Sequence, residues 1–503
     1  MIATNRSSRL DKTSRKLRVI VMWSYILLIL HIGVTTGSVV HILMLRPKSS
    51  IALAWITLIM TFPVIGVGLY FLIGERRIGL SRSNSIQQVR SYQKKYSSLT
   101  KSSPEIIIEW KRHPEAAQAM SKLGHSMAAT YAVAGNAFEL FPETRSVFTQ
   151  ILSDIDTAKR NIFMEFYIWN EGGDADKVVS ALINAAGRGV RCHILVDAIG
   201  ASKWWGSAQA KTLENAGIKL LKALPVGLFR TLVGRTDLRL HRKIIIIDET
   251  IAWTGSMNMV DPDFFKQDSG VGKWVDAMVR LQGPIVIPLA ETVMGDWVVE
   301  HSSPSQSFIT SVDFAAAKKC GESTMQVIAS GPGQTSDALL QMILALVYAA
   351  REEIVLTTPY LIPDDSLLVA LRGAAARGVS VTLVVPEKVD SFLTRHASES
   401  YFEELLTAGI QIVRFHQGLL HTKSISVDNS LSMFGTANID MRSLWVNYEV
   451  TLFVYDSAFT RQLRLLQQTY IENANSVELS EWIKRPFLKQ IMQNALRLAS
   501  PLL

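Results

Sequence analysis

The stretch LRLHRKIIIIDETIAWTGSMN, residues 238–258, decides how this chain is read, because it returns in altered form at 419–438 as LLHTKSISVDNSLSMFGTAN. In each copy a histidine and a lysine flank one residue, four residues lead to an aspartate, and a Gly-Ser/Thr-X-Asn tetrad closes the unit. His241, Lys243, Asp248, Ser256 and Asn258 answer to His421, Lys423, Asp428, Thr436 and Asn438. The apolar run 244–247 is strand-forming, so His241 and Lys243, two apart, project from one face. Asp248-Glu249-Thr250 reads as a turn and 251–254 as the returning strand. Paired about that turn, Lys243 lies opposite Gly255, and the same register sets Lys423 opposite Gly435. Ser256 and Asn258 then come level with His241, so each half offers an imidazole, a cation, a hydroxyl and an amide on one small surface.

Such a surface suits a phosphate diester. Lysine neutralises anionic oxygen, hydroxyl and amide donate hydrogen bonds to it, and glycine lets the backbone approach. Imidazole can attack phosphorus or carry a proton near neutral pH, and two imidazoles can divide those roles. Asp248 and Asp428 sit at the hairpin turns, away from the His-Lys surface, and read as structural despite their place in the motif.

The paired motifs resemble those of the phospholipase D superfamily. Phe166–Trp169 (FYIW), GSMNMVDPDFFKQD from Gly255 and NIDMRSLWVNYE from Asn438 narrow the resemblance to bacterial cardiolipin synthases of the two-motif type, over nearly the whole chain. The resemblance implies an α/β fold of two pseudo-twofold-related sandwich halves sharing one active site, preceded by a two-helix transmembrane hairpin. It also implies an acid that orients each histidine. Glu449, on an apolar strand 28 positions after His421, takes that place for His421, and aligning WVDAMV with NYEVTL makes Asp276 the counterpart for His241. The implied reaction joins two phosphatidylglycerols into cardiolipin and glycerol by double displacement. His241 is the nucleophile and His421 the acid and base, while Lys243, Lys423, Asn258 and Asn438 hold phosphoryl oxygens with help from Ser256 and Thr436. No metal or cofactor is implied. A hydrolytic phospholipase D and a membrane-tethered nuclease of the same superfamily remain the alternatives. The apolar run at 224–232 argues against nucleic acid as partner, since a nuclease groove calls for cations and stacking aromatics.

Composition agrees with anionic partners: 503 residues carry 52 Lys and Arg against 44 Asp and Glu, a net charge of +8. The two cysteines, Cys192 and Cys320, lie in unlike contexts, which indicates neither a disulfide framework nor a zinc site. A P-loop, a dinucleotide fingerprint and the Asp-rich motif of metal-dependent alcohol phosphatidyltransferases are absent.

In chain order, a basic N-terminus precedes two uncharged stretches, read as helices over about 19–45 and 49–74 and long enough to span a bilayer. Pro63 is placed to kink the second, and His31 and His41 are read as neutral. Basic outer flanks around a short loop put both ends, and the catalytic halves, on the cytoplasmic side of a bacterial inner membrane. The domain reading runs 1–75 for the hairpin, 76–135 for a connector without chemistry, 136–311 for the first half and 312–503 for the second. The boundary falls in the polar segment 302–311. LINAAGRGV and LRGAAARGV align without a gap between the halves. Anionic lipid and membrane are the expected partners, and oligomeric state stays open. Two apolar-basic stretches, 223–235 and the tail 482–503, suit either a headgroup contact or a buried core with a charged rim.

Overall fold

The computed structural model describes residues 3–46, 49–74, 108–225, 237–301, 318–335 and 337–498, with a few positions between 82 and 89. They fall into an N-terminal unit within Met1–Gly79 and a body within Leu80–Pro225 and Leu238–Leu503. The boundary segment 302–311 and most of the apolar stretch 223–235 lie outside the described residues.

In the N-terminal unit one helix, Ala3–Leu45, runs without a break from the basic terminus into the apolar stretch. Its segment Ile20–Leu45 is the one helix among the described residues long and apolar enough to cross a membrane. The second apolar stretch, 49–74, is helical and broken where Pro63 was expected to kink it. It is a helix Ser49–Thr61, a break at Phe62, a helix Pro63–Leu69 and a π-turn Tyr70–Gly74. Pro63 causes the break, because it has no N–H to continue the ladder. The two arms pack on each other through Ile42, Ile59 and Tyr70, and the His41 ring lies 6.2 Å from that of Tyr70.

The body is organised on one sheet of fifteen strands, with a separate small sheet of two. The first half contributes β1 (Val133–Phe141), β2 (Asn161–Phe166), β3 (Arg191–Asp197), β4 (Lys219–Ala223), β5 (Ile244–Ile247), β6 (Ile251–Gly255), β7 (Trp274–Val275) and β8 (Met278–Gln282). The second contributes β9 (Ser323–Ser330), β10 (Glu353–Thr357), β11 (Ser380–Pro386), β12 (Gln411–Phe415), β13 (Leu419–Leu420), β14 (Ser424–Val427), β15 (Leu431–Gly435), β16 (Glu449–Val454) and β17 (Ala474–Ser476). The half-sheets β1-β8-β6-β5-β2-β3-β4 and β9-β16-β15-β14-β10-β11-β12 have the same order. They join edge to edge where β1 pairs antiparallel with β9, so the two expected sheets are continuous. Joining them covers two edges that would otherwise stand open.

Helices cover both faces. Thr144–Thr157 and Asp174–Gly187 pack with β2 and β3 in one core, and Ala338–Ala349 and Asp365–Ala376 repeat that arrangement against β10 and β11. Val286–Glu300 and Ser457–Glu472 lie over the other face, where a third core spans both halves. The all-buried run 244–247 explains why β5 reads as continuously apolar. Helix Glu115–Ala128, expected within a connector, buries Ala117 and Met120 in the second half's core, and β1 starts at Val133.

Candidate active site

The hairpin register is as read from the sequence: Ile244 pairs with Thr254 and Ser424 with Phe434, which extends to Lys243 opposite Gly255 and Lys423 opposite Gly435. Asp248 and Glu249 both take left-handed φ, 51° and 54°, at the centre of a turn that Thr250 N–H closes on Ile247 O; Asp428 and Asn429 repeat it at 49° and 51°. Asp248 accepts from the backbone N–H of Lys159, Arg160 and Asn161 at 2.7–2.9 Å, and Asp428 from those of Arg351, Glu352 and Glu353 at 2.8–2.9 Å. Each carboxylate thus clamps the start of the neighbouring strand β2 or β10. Four strand residues, a span of roughly 17 Å, separate it from the lysine of its own motif. Neither aspartate belongs among the catalytic groups.

The histidines are oriented across the halves. His241 Nδ1 lies 2.9 Å from Glu449 Oε2, and His421 Nδ1 lies 2.7 Å from Asp276 Oδ1. This corrects the expected pairing of Glu449 with His421 and of Asp276 with His241. The cause is backbone. β7 leaves the sheet of its own half and pairs in parallel with β13 of the other, so His421 N–H donates to Val275 O at 2.8 Å. In the pseudo-symmetric place Leu240 bridges Tyr448, and His241 N–H donates to Tyr448 O at 2.9 Å. Each histidine therefore sits beside the residue that precedes the other half's acid.

The tetrads serve those acids. Ser256 Oγ donates to Asp276 at 2.6 Å and accepts from Ala277 N–H, while Thr436 Oγ1 donates to Glu449 at 2.6 Å and accepts from Val450 N–H. Each hydroxyl proton is thereby used, which corrects the expectation that Ser256 and Thr436 hold phosphate. Gly255 and Gly435 serve the same junction, because a Cβ on either would stand 2.5 Å from Ala277 O or Val450 O. Asn258 accepts from Ile168 N–H through Oδ1, and its Nδ2, fully buried, has no partner. Asn438 differs: its Nδ2 donates to Asp440 at 3.1 Å and its Oδ1 is the orphan. Asn258 thus keeps both amide protons for a ligand, and Asn438 keeps one.

Electrostatics follow from burial. Burial pushes both imidazoles down to about 4, although Glu449 and Asp276 pull the other way. Burial also raises Asp276, but His421, Lys423 and Ser256 outweigh it and hold the carboxyl at about 2; Glu449 is likewise lowered against its burial by His241, Lys243 and Thr436. At neutral pH each imidazole is neutral, donates its Nδ1 proton to a carboxylate and leaves an Nε2 lone pair. Lys243 and Lys423 are buried, and each ammonium donates to the carbonyl of its own histidine, His241 O at 2.7 Å and His421 O. Among the described residues neither is in an ion pair. Burial pulls Lys243 down to about 8 and Lys423 well below its ordinary value. The carboxylates that act on both lysines from further off, Glu449 and Asp276, are each held by a histidine, which leaves the two ammonium groups without a contacting anion.

Several site residues carried no signal in the motifs. Tyr167 meets His241 edge-on at 5.1 Å, and Trp274 lies 4.4 Å from the His421 ring. Asp197 accepts from Leu240 N–H at 3.0 Å and so fixes the strand that carries His241. Arg242, between the motif's own His and Lys, donates to Glu449 O and Ser330 O at 3.0 Å and pairs with Asp296. Thr422, its counterpart, meets only Tyr470 OH and Val275 O. Among the described residues no group of three His, Cys, Asp or Glu could hold a metal ion.

Comparison with known proteins agrees with this geometry. A family described as cardiolipin synthase, PLD-like domain, matches residues 151–269 and 343–468, one segment in each half, and one described as phospholipase D-nuclease N-terminal matches 33–75. Cardiolipin synthase A of Serratia proteamaculans is 40% identical over 467 residues, covering 93% of this chain and 96% of its own. Cardiolipin synthase A of Klebsiella pneumoniae gives the same figures. A phosphatidylserine synthase from Haemophilus influenzae shares the fold, with a TM-score of 0.55 at 14% identity over 77% of this chain and 100% of that one. The chain belongs to the cardiolipin synthase family of phospholipase D-like proteins.

Proposed function

We infer that the protein transfers a phosphatidyl group from one phosphatidylglycerol to another, giving cardiolipin and glycerol, as the names of its relatives suggest. The observation that carries this reading is the pair of carboxylate-held imidazoles, each with a free Nε2, beside two buried lysines with no carboxylate in contact among the described residues. Nε2 of His241 attacks phosphorus, and the bond from phosphorus to the headgroup glycerol oxygen breaks. His421, protonated beside the bound phosphodiester anion, gives its Nε2 proton to the departing glycerol. Trp274 against its ring supports that role, since a π-face favours an imidazolium. His421, again neutral, then takes the proton from a primary hydroxyl of the second phosphatidylglycerol. That oxygen attacks phosphorus and releases His241. Lys243, Lys423 and Asn258 Nδ2 stabilise the phosphoryl oxygens through both steps. One diester replaces another, so no nucleotide is consumed.

The helix Ile20–Leu45 supports attachment to a membrane. Passage of both N-terminal arms through a bacterial inner membrane, with the catalytic body on the cytoplasmic side, is the topology that the basic flanks favour. The test is mass spectrometry of lipids after incubating detergent-solubilised protein with phosphatidylglycerol in chelator. Cardiolipin and glycerol appear, and His241→Ala abolishes both. Phosphatidic acid as the only product would make the protein a hydrolase.

A further inference from the structure

The last described helix, Phe487–Arg497, is amphipathic, and such a helix on a globular body ordinarily buries its apolar face. This one docks by its polar side. Gln493, wholly buried, donates to Glu399 at 2.7 Å and accepts from Arg485. Lys489 lies 3.8 Å from Glu399, and Arg497 pairs with Glu404 at 3.2 Å. The apolar side faces outward, with Phe487 73% exposed, Leu488 79%, Ile491 48% and Leu498 84%.

Helix Phe392–Glu399 packs against it, and Phe392 and Leu393 at its N-terminus are 62% and 48% exposed. The exposed apolar surface is on the order of several hundred Å², as large as the largest patch of a typical monomer. Its cations are taken by carboxylates, Lys484 by Glu481, Arg485 by Glu403, Lys489 by Glu399 and Arg497 by Glu404, which leaves the apolar face as the unpartnered surface. The patch also connects to the site. Asp390, two residues before Phe392, accepts from Tyr360 OH at 2.8 Å and pairs with Lys266, whose ammonium lies over Trp274, the ring against His421.

We propose that helix Phe487–Arg497, with Phe392 and Leu393, is a membrane contact separate from the N-terminal helix. Its apolar face enters the headgroup and upper acyl region of a bilayer. A bilayer is the occupant because the chain's own helix Ile20–Leu45 is long and apolar enough to enter one, and the phosphatidyl-transfer reading draws its substrate from one. The contact goes beyond the phosphatidyl-transfer reading and is tested without turnover.

The experiment uses full-length protein carrying Cys320→Ser, since Cys192 is buried and Cys320 exposed. Leu488→Cys is labelled with an environment-sensitive fluorophore, and the protein is reconstituted into vesicles of phosphatidylcholine and phosphatidylserine. Quenching by lipids with a spin label high on the acyl chain, with protection from aqueous iodide, is expected. Quenching by iodide alone would overturn the proposal, because the face would stand in water. Protection from both quenchers would also overturn it, because protein would cover the face. In a second measurement Phe487→Asp with Leu488→Asp lowers turnover of vesicle lipid about tenfold and leaves turnover of monomerically dispersed short-chain phosphatidylglycerol unchanged. Equal loss on both substrates, or no loss on either, would contradict it.

Discussion

His241 of the first half donates its Nδ1 proton to Glu449 of the second, 208 positions away and 2.9 Å distant. The reverse relation joins His421 to Asp276. Neither half can orient its own histidine, so the active site exists only when both halves fold and join through β1 and β9.

The crossing separates the effects of the two acids. In a histidine-labelled sample the downfield Nδ1–H proton resonance of His241 should vanish in Glu449→Gln, and that of His421 in Asp276→Asn. Each variant should lose about 10²–10⁴-fold in kcat, the range for misorienting a catalytic imidazole. Loss of the His421 resonance in Glu449→Gln would restore the in-half pairing.

The motif aspartates should behave as structural residues. Asp248→Ala removes three charge-assisted bonds to backbone N–H groups, a cost of about 2–3 kcal/mol in stability. Below its lowered melting temperature the variant should keep kcat within about twofold. Lys243→Met should do the reverse, abolishing turnover without lowering the melting temperature, because it removes an unpaired buried cation. A Lys243→Met protein that melts lower and still turns over would contradict the assignment.

The unpaired lysines also fix a pH dependence. Lys243 titrates at about 8 in the folded protein and near 10.5 when unfolded. Between those values the folded state binds fewer protons, so this group makes stability rise with pH across that window and costs stability below it. A bound anion offsets that cost while the lysines are charged. Scanning calorimetry with glycerophosphoglycerol, the deacylated headgroup, should give a larger rise in melting temperature at about pH 7 than at about pH 9.5. Equal rises at both would mean that the lysines do not hold the anion.

The two motif glycines predict a packing defect with a catalytic consequence. Gly255→Ala sets a Cβ against Ala277 O, which displaces the strand carrying Asp276. Overpacking of this kind costs roughly 1–3 kcal/mol. The His421 resonance should shift more than that of His241, since Asp276 serves His421. A shift confined to His241 would argue against the crossed site.

What the sequence makes legible is local. The hairpin registers and the turn aspartates follow from strand periodicity and turn chemistry inside one copy. The crossed acids do not, because aligning WVDAMV with NYEVTL compares the copies and says nothing of the interface between them. The pairing of β7 with β13 decides that, over 145 intervening positions. The hydroxyls of Ser256 and Thr436 are misread for a related reason: period-two reasoning gives a face, not the acceptor waiting on it. Helix Glu115–Ala128 escapes notice because its apolar face matches a core that forms more than 200 residues later. Arg242 is hidden in plain view, since the residue between the two motif groups points to the opposite side of its strand, where it holds Glu449 O.

Covalent trapping tests the central claim most directly. Full-length His421→Asn protein, incubated with phosphatidylglycerol, quenched in acid and digested, should yield a peptide carrying one phosphatidyl group on His241. The matching His241→Asn digest should carry none on His421. A phosphatidyl group on His421 in the His241→Asn protein, or no adduct in either, would contradict the mechanism.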